Sequence, residues 1–152
     1  MRYRIAAVGK LRRGFYQQAC QHYLDRLQVF GRTEMVEVKE GRGGAPHQVP
    51  QAEAASLLAL SEGRVAALDE RGRGFRSREL AGRLDELELA GVSMLTLLVG
   101  GAGGLADVVR DRADELWSLS PLTLPHELAR LVLLEQLYRA ETIRAGHPYH
   151  RD

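Results

Sequence analysis

The sequence predicts an α/β protein with a mostly parallel sheet flanked by helices, and three observations carry that reading. The apolar period switches repeatedly between two and about 3.6 residues along the chain. Residues 92–100, VSMLTLLVG, form an apolar run of the kind found in a central parallel strand buried on both faces. With 152 residues, 45% of them hydrophobic, and only five prolines, the chain has the material for a core and reads as one domain over residues 1–152.

Each element follows from its local pattern. Residues 2–8 alternate as a strand, and Phe15, Ala19, Tyr23, Leu27 and Phe30 then recur about every four positions as one helix face. Residues 35–38 read as a second strand, GRGGAP (41–46) as a loop, and 49–60 as an Ala/Leu-rich helix closed near Gly63. RVAALD (64–69) is a third strand, after which RGRGF turns the chain. Ser77 is placed to cap the helix SRELAGRLDELELAG, with Glu79 in its first turn and Gly91 at its end. After the fourth strand, GGAGG leads into a helix over ADVVRDRADELW, a short SLS, the loop PLTLP, and a last helix over 126–145.

Composition narrows the chemistry. Cys20 is the only cysteine, which excludes an internal disulfide and a cysteine zinc site, and the five histidines are scattered rather than spaced as ligands, so no metal is expected. No apolar run approaches a membrane span and the N-terminus lacks an export core, so the expectation is a cytoplasmic protein. Residues 1–45 carry nine Lys/Arg against four Asp/Glu, whereas 84–127 carry two against eight. A polyanion can therefore be bound locally, and arginine pairs such as Arg12-Arg13 and the group Arg71, Arg73, Arg76 and Arg78 suit phosphate. Arginines that simply face water are the competing explanation.

LLVGGAGGLADVV (97–109) runs from a strand through glycines into a helix, which lets backbone N–H groups approach a ligand. Gly101, Gly103 and Ala106 match the dinucleotide fingerprint literally, but the turn follows the fourth strand instead of the first, and no acidic residue ends the next one. A ligand loop is favoured over a purely structural turn.

WSLSPLTLPHELARLVLLEQLYRAETIRAGHPYHRD, with AVGK at the start, LDERG after the third strand and VGGAGGL after the fourth, resembles the RlmH family of SPOUT RNA methyltransferases along the whole chain. That family methylates N3 of a pseudouridine in bacterial 23S rRNA. The resemblance implies a deep trefoil knot at the C-terminal end, a homodimer built through the last helix, S-adenosylmethionine as cofactor, and a ribosomal partner, either the large subunit or the assembled ribosome. Mapped onto this chain, cofactor contacts fall on the backbone of Leu68, Gly100 and the run Leu119, Ser120, Pro121, Leu122, Thr123 and Leu124. A proline-stiffened apolar loop of this kind can wall an adenine while its backbone hydrogen-bonds the base edge. The alternatives are another SPOUT-type RNA methyltransferase or a nucleotide- or RNA-binding module without catalysis.

Apolar residues cover more than one stripe of the last helix, so burial against both its own sheet and a second subunit is expected. Arg139 stands four residues after Glu135, the spacing of an ordinary helical ion pair. By the resemblance it lies near the active site, where a cation beside the target ring would offset developing charge. His126 is a base, an RNA contact or structural, and His22 and His47 read as surface residues. Gly146 and Pro148 end the helix and redirect the tail. The resemblance then implies that Tyr149 walls the target base, His150 hydrogen-bonds near it, and Arg151, like Arg71, Arg73 and Arg76, meets RNA, the tail reaching the other subunit's pocket.

Overall fold

A computed structural model describes residues 1–41 and 49–149; His47, most of the 41–46 loop, His150 and Arg151 lie outside the described residues. The elements run β1 (Arg2–Val8), α1 (Gly14–Leu27), β2 (Thr33–Val38), α2 (Val49–Ala59), β3 (Arg64–Gly74), α3 (Ser77–Leu89), β4 (Met94–Val99), α4 (Asp107–Arg112), β5 (Glu115–Ser118) and α5 (His126–Ala145). All strand pairs are parallel, in the order β2-β1-β4-β3-β5. β4 is central and all six of its residues are buried, as its unbroken apolar run predicts.

Strand alternation divides the interior into two layers. Tyr3, Ile5, Leu95, Leu97 and Val99 face one side and pack with Cys20 and Leu27 of α1, Leu80, Leu84 and Leu87 of α3, and Leu133, Leu134 and Leu137 of α5. Ala6, Val8 and Leu98 face the other, against Ala54 and Leu57 of α2 and Val109 of α4. Burial within the first layer pushes the Cys20 thiol up to about 11, so it remains a neutral core residue.

α5 lies between α1 and α3 and is anchored near both ends. Near its start Arg130 is fully buried, donating to the carbonyls of Val8 and Gly9 at 2.6 Å and to Glu37 of β2 at 3.0 Å. Near its end the buried Glu141 carboxylate accepts from Tyr3 and, at 2.6 Å, from Arg144. Leu128, Val132, Glu135 and Arg139 share the side of α5 left half-exposed by these contacts.

Four local expectations are corrected. RGRGF does not turn the chain: β3 continues to Gly74 through a bulge between Leu68 and Arg73, and a Cβ at Gly72 would lie 2.5 Å from the Leu116 backbone, so glycine permits the crossing with β5. The helix predicted over 106–117 ends at Arg112, because Asp114 pairs with Val65 through both its backbone N–H and its carboxylate and starts β5. Ser77 does not cap α3. Arg76 occupies the cap position, its N–H donating to Glu79 at 2.7 Å, while the Ser77 hydroxyl donates to Gln136 of α5. On α1 the buried positions are Cys20 and Leu27; of the predicted face, Leu27 is buried but Phe15 is 64% exposed.

Glu115 locks β5 onto α3 and β3. It accepts from Arg83 at 2.8 and 3.0 Å, Arg64 at 3.1 Å and the Trp117 indole at 3.0 Å. Burial opposes its ionisation, but these donors prevail and hold its pKa down to about 2, from 4.5. A depressed carboxylate contributes stability above its unfolded pKa and loses it as pH falls through the folded one. Glu115→Gln is therefore expected to cost about 2 kcal/mol at pH 7. Urea unfolding of both proteins checks this: the gap narrows as pH falls from about 5 towards 2.

Candidate active site

A parallel sheet aims the carboxyl ends of its strands at one edge, and loops leaving that edge are where such folds bind ligands. Here a cavity of about 560 Å³ opens past the end of β4 and beside the bulge in the middle of β3. Its walls are Leu68 to Arg71 from β3, Val99 to Leu105 after β4, the segment 118–124 after β5, and His126 and Ala129 of α5. Segments far apart in the chain thus converge on one space.

The glycine loop is shaped by its own backbone. Gly104 has φ +75°, its N–H donates to the Gly101 carbonyl at 3.0 Å, and a Cβ added to Gly100 would sit 2.7 Å from the Gly104 carbonyl group. Gly100 is thus required first by the turn, and the turn in turn gives the wall its shape. Gly101 backs onto Val8 and Gly103 onto Pro50, while Ala102 carries its methyl on the cavity wall. After β5, the Ser118 hydroxyl donates to the Ser120 carbonyl and the Ser120 hydroxyl accepts from the Leu122 N–H, fixing the loop before α5.

Of the cofactor positions carried over in sequence, Leu68, Gly100, Leu119, Ser120, Leu122, Thr123 and Leu124 line the cavity. Pro121 does not; it is exposed, so its contribution is to the bend of the loop. Three lining side chains went unassigned or under-ranked in the sequence reading. Asp69 accepts from the Arg71 side chain and N–H, which holds its carboxyl below the usual range, and from Arg110 at 3.4 Å. Arg110 also donates to the Leu105 carbonyl and Asp107. His126 faces the cavity from the first turn of α5. Asp69 stands inside the LDERG segment and His126 directly after LTLP, so the sequence held a signal for both. Arg110 sits among alternating charges on α4 and had none.

Leucines and loop backbone line the cavity beside the Asp69–Arg110 ion pair, a combination of apolar wall and charge suited to a nucleoside with a charged tail. Among the described residues, no group of three or more His, Cys, Asp or Glu could hold a metal ion.

The catalytic candidates lie elsewhere in this chain. Arg139 is thirteen residues along α5 from His126, about 20 Å at helical rise, and donates twice to Glu135, at 2.6 and 3.0 Å. Tyr149 donates to the same carboxylate at 3.1 Å, lies 3.2 Å from the Tyr23 hydroxyl, packs edge-on against Tyr138, and carries the Arg139 guanidinium over its ring at 5.1 Å. Burial first, then Tyr23 and Glu135, push the Tyr149 phenol well above its ordinary pKa, so it is a proton donor at neutral pH. Gly146 ends α5 with φ +69°, as its position in the sequence predicts. Among the RNA candidates, Arg71 lines the cavity but is bound to Asp69, Arg73 stacks over Phe75 at 4.5 Å, and Arg76 starts α3.

Comparison with known proteins places this geometry. A family model described as "Predicted SPOUT methyltransferase" matches residues 1–150. A protein of Gloeobacter violaceus named ribosomal RNA large subunit methyltransferase H is 47% identical over 152 residues, covering 99% of each chain. Its namesake from Thioalkalivibrio sulfidiphilus is 42% identical, covering 100% of each. A probable methyltransferase from Bordetella pertussis has the same fold, with a TM-score of 0.57 at 18% identity over 91% of this chain and 95% of that one. The chain belongs to the SPOUT methyltransferase family.

Proposed function

We propose that the protein transfers a methyl group from S-adenosylmethionine to N3 of a pseudouridine in 23S rRNA of the large ribosomal subunit, as a homodimer in the cytoplasm whose sites each draw on both subunits. One observation supports this above others: the separate backbone segments assigned to the cofactor line a single cavity, with a full-length relationship to large-subunit rRNA methyltransferases behind it. No helix among the described residues is long and apolar enough to cross a membrane.

When bound, the cofactor supplies an electrophilic methyl on a sulfonium sulfur. The chain's own residues do the rest. Leu68, Gly100 and the 119–124 loop would hold the nucleoside end through backbone groups and apolar walls, and Asp69 and Arg110 would offer opposite charges to its amino-acid end. The acceptor N3 would give up its proton as it takes that methyl, and the ring imide would carry the negative charge left if the proton goes first. A cation fixed beside the ring lowers the barrier by offsetting negative charge on the imide. Arg139 is the residue suited to this, with Tyr149 walling the base as a neutral phenol. Because Arg139 stands about 20 Å along α5 from His126 of its own cavity and Tyr149 packs against Arg139 and Tyr138, the reading assigns both to the cavity of the partner subunit, together with His150 and Arg151. The half-exposed side of α5 that bears Leu128, Val132 and Arg139 is where the second subunit packs in this proposal, and the C-terminal segment threads as the family's knot.

Gly100→Val is expected to leave a folded dimer and weaken S-adenosylmethionine binding at least about a hundredfold, near 3 kcal/mol, because the side chain deforms the turn against Gly104. Calorimetry reads this directly, and affinity near the parent value removes Gly100 from the site.

Arg139→Lys keeps the charge but not the planar fork. Single-turnover methylation is expected to slow on the order of a hundredfold, about 3 kcal/mol, with cofactor affinity unchanged. An unaltered rate leaves Arg139 with the Glu135 ion pair alone.

The composite site is tested by mixing subunits lacking 147–152 with Gly100→Val subunits. Each homodimer is expected to be inactive in tritiated methyl transfer to ribosomal particles. The mixture regains activity from heterodimers that unite one intact cavity with one intact tail. No recovery despite demonstrated subunit exchange means that each tail serves its own cavity.

A further inference from the structure

Eight of the nineteen arginines are held in close ion pairs among the described residues. Arg4, Arg64, Arg71, Arg83, Arg110, Arg130, Arg139 and Arg144 each have an ion pair of 3.4 Å or shorter. The loop between β1 and α1 differs. Lys10, Arg12, Arg13 and Phe15 are exposed, Lys10 and Arg13 have no ion pair among the described residues, and Arg12 has only a 3.5 Å contact with Glu40. No acidic residue lies in the first turn of α1.

The backbone of this loop is nonetheless held firmly. Leu11 N–H donates to Glu37 at 3.0 Å, Arg12 N–H donates to Glu127, and the Leu11 carbonyl accepts from Gln17 at 2.6 Å. Glu37 also accepts from the buried Arg130, and Glu127 follows His126 of the cavity wall. Carboxylates therefore take the loop's backbone donors and fix it beside the cavity mouth, while its cationic side chains and one aromatic ring point to solvent. Phe15 is tilted against Tyr16 with its ring still mostly exposed, and an exposed ring beside cations that are free or only weakly paired is the pattern that grips a nucleic-acid strand: guanidinium and ammonium groups for phosphates, a ring face for a base.

We infer that the β1–α1 loop and the first turn of α1 form an RNA-docking element, in which Lys10, Arg12 and Arg13 contact backbone phosphates and Phe15 stacks on a base flanking the target nucleotide. This rests on the proposed rRNA substrate. The loop stands on the β1 side of the cavity and Arg73 on the β3 side, so the RNA strand spans the mouth between them.

The test compares the parent with Lys10→Gln/Arg13→Gln, with Arg13→Gln alone, and with Phe15→Ala and Phe15→Trp. Cosedimentation with large ribosomal subunits over a range of KCl measures binding without requiring turnover, and methyl transfer gives KM and kcat. The double variant is expected to raise KM about tenfold with kcat unchanged, and to flatten the slope of log affinity against log salt by about 1.5, roughly half of which Arg13→Gln alone produces. Phe15→Ala is expected to weaken binding about tenfold at every salt concentration, with Phe15→Trp restoring it. Thermal midpoint, sedimentation of the free protein and S-adenosylmethionine affinity stay at parent values. Parent-like KM and salt slope in the double variant overturn the inference, as does a change in oligomeric state, which would mean that a second copy covers the loop. A parent that binds particles in a loop-dependent way yet transfers no methyl leaves the docking element standing and defeats the proposed reaction. A parent that binds no particle defeats the docking element.

Discussion

A guanidinium buried in the middle of this fold sets the position of everything at the sheet's carboxyl edge. Taking a charge out of water costs several kcal/mol, and the cost is recovered only where geometry supplies enough acceptors. Arg130 finds three, the Val8 and Gly9 carbonyls and Glu37, while its Nε has no partner among the described residues. Those acceptors belong to two neighbouring strands, so one side chain fixes the height of α5 against the sheet. His126 and Ala129, one turn away or less, inherit that height and so does the loop that precedes them. The same carboxylate that balances the charge also holds Leu11, which ties the cavity wall and the β1–α1 loop to a single electrostatic centre.

The two ends of α5 have different duties. The first turn belongs to the cavity. Glu135 and Arg139 further along the helix, with Tyr149 of the tail that follows, form a separate cluster. In the proposed reaction, which draws on both regions, the length of this helix is what assigns them to different subunits. Within one chain the cluster is internally satisfied, Glu135 accepting from both Arg139 and Tyr149. Under the proposed composite site, a partner's cavity would have to compete with that carboxylate for them.

Where the sequence was legible, one strong signal acted alone. The apolar period gave β1 and β4 almost to the residue, and Pro125 and Gly146 bracketed α5. It misled where two signals competed. Arg71 to Gly74 look like a turn by composition, and only pairing with β5, allowed by the missing Cβ of Gly72, makes them a strand. Asp114 to Trp117 continue a helical pattern, but a buried indole and an Asp114 bond to Val65 favour the sheet edge. Tertiary context decided both, and local preference cannot report it. For the site, the backbone-lined positions came from the family resemblance rather than from side-chain chemistry, which is why Arg110, a side chain on a charged helix, escaped notice.

The contact between Arg130 and the end of β1 also imposes an order in time. Its partners are separated by 122 residues, so closing it bears the loop entropy of nearly the whole chain and comes late in folding. During synthesis the sheet strands emerge first, and β1 waits with its terminal carbonyls unclaimed until α5 follows. The cavity shares this delay, because part of its wall is in the segment just before Arg130. A partly made chain can have its central sheet and still have no place for a ligand, so competence arrives in one step, with the docking of the last helix.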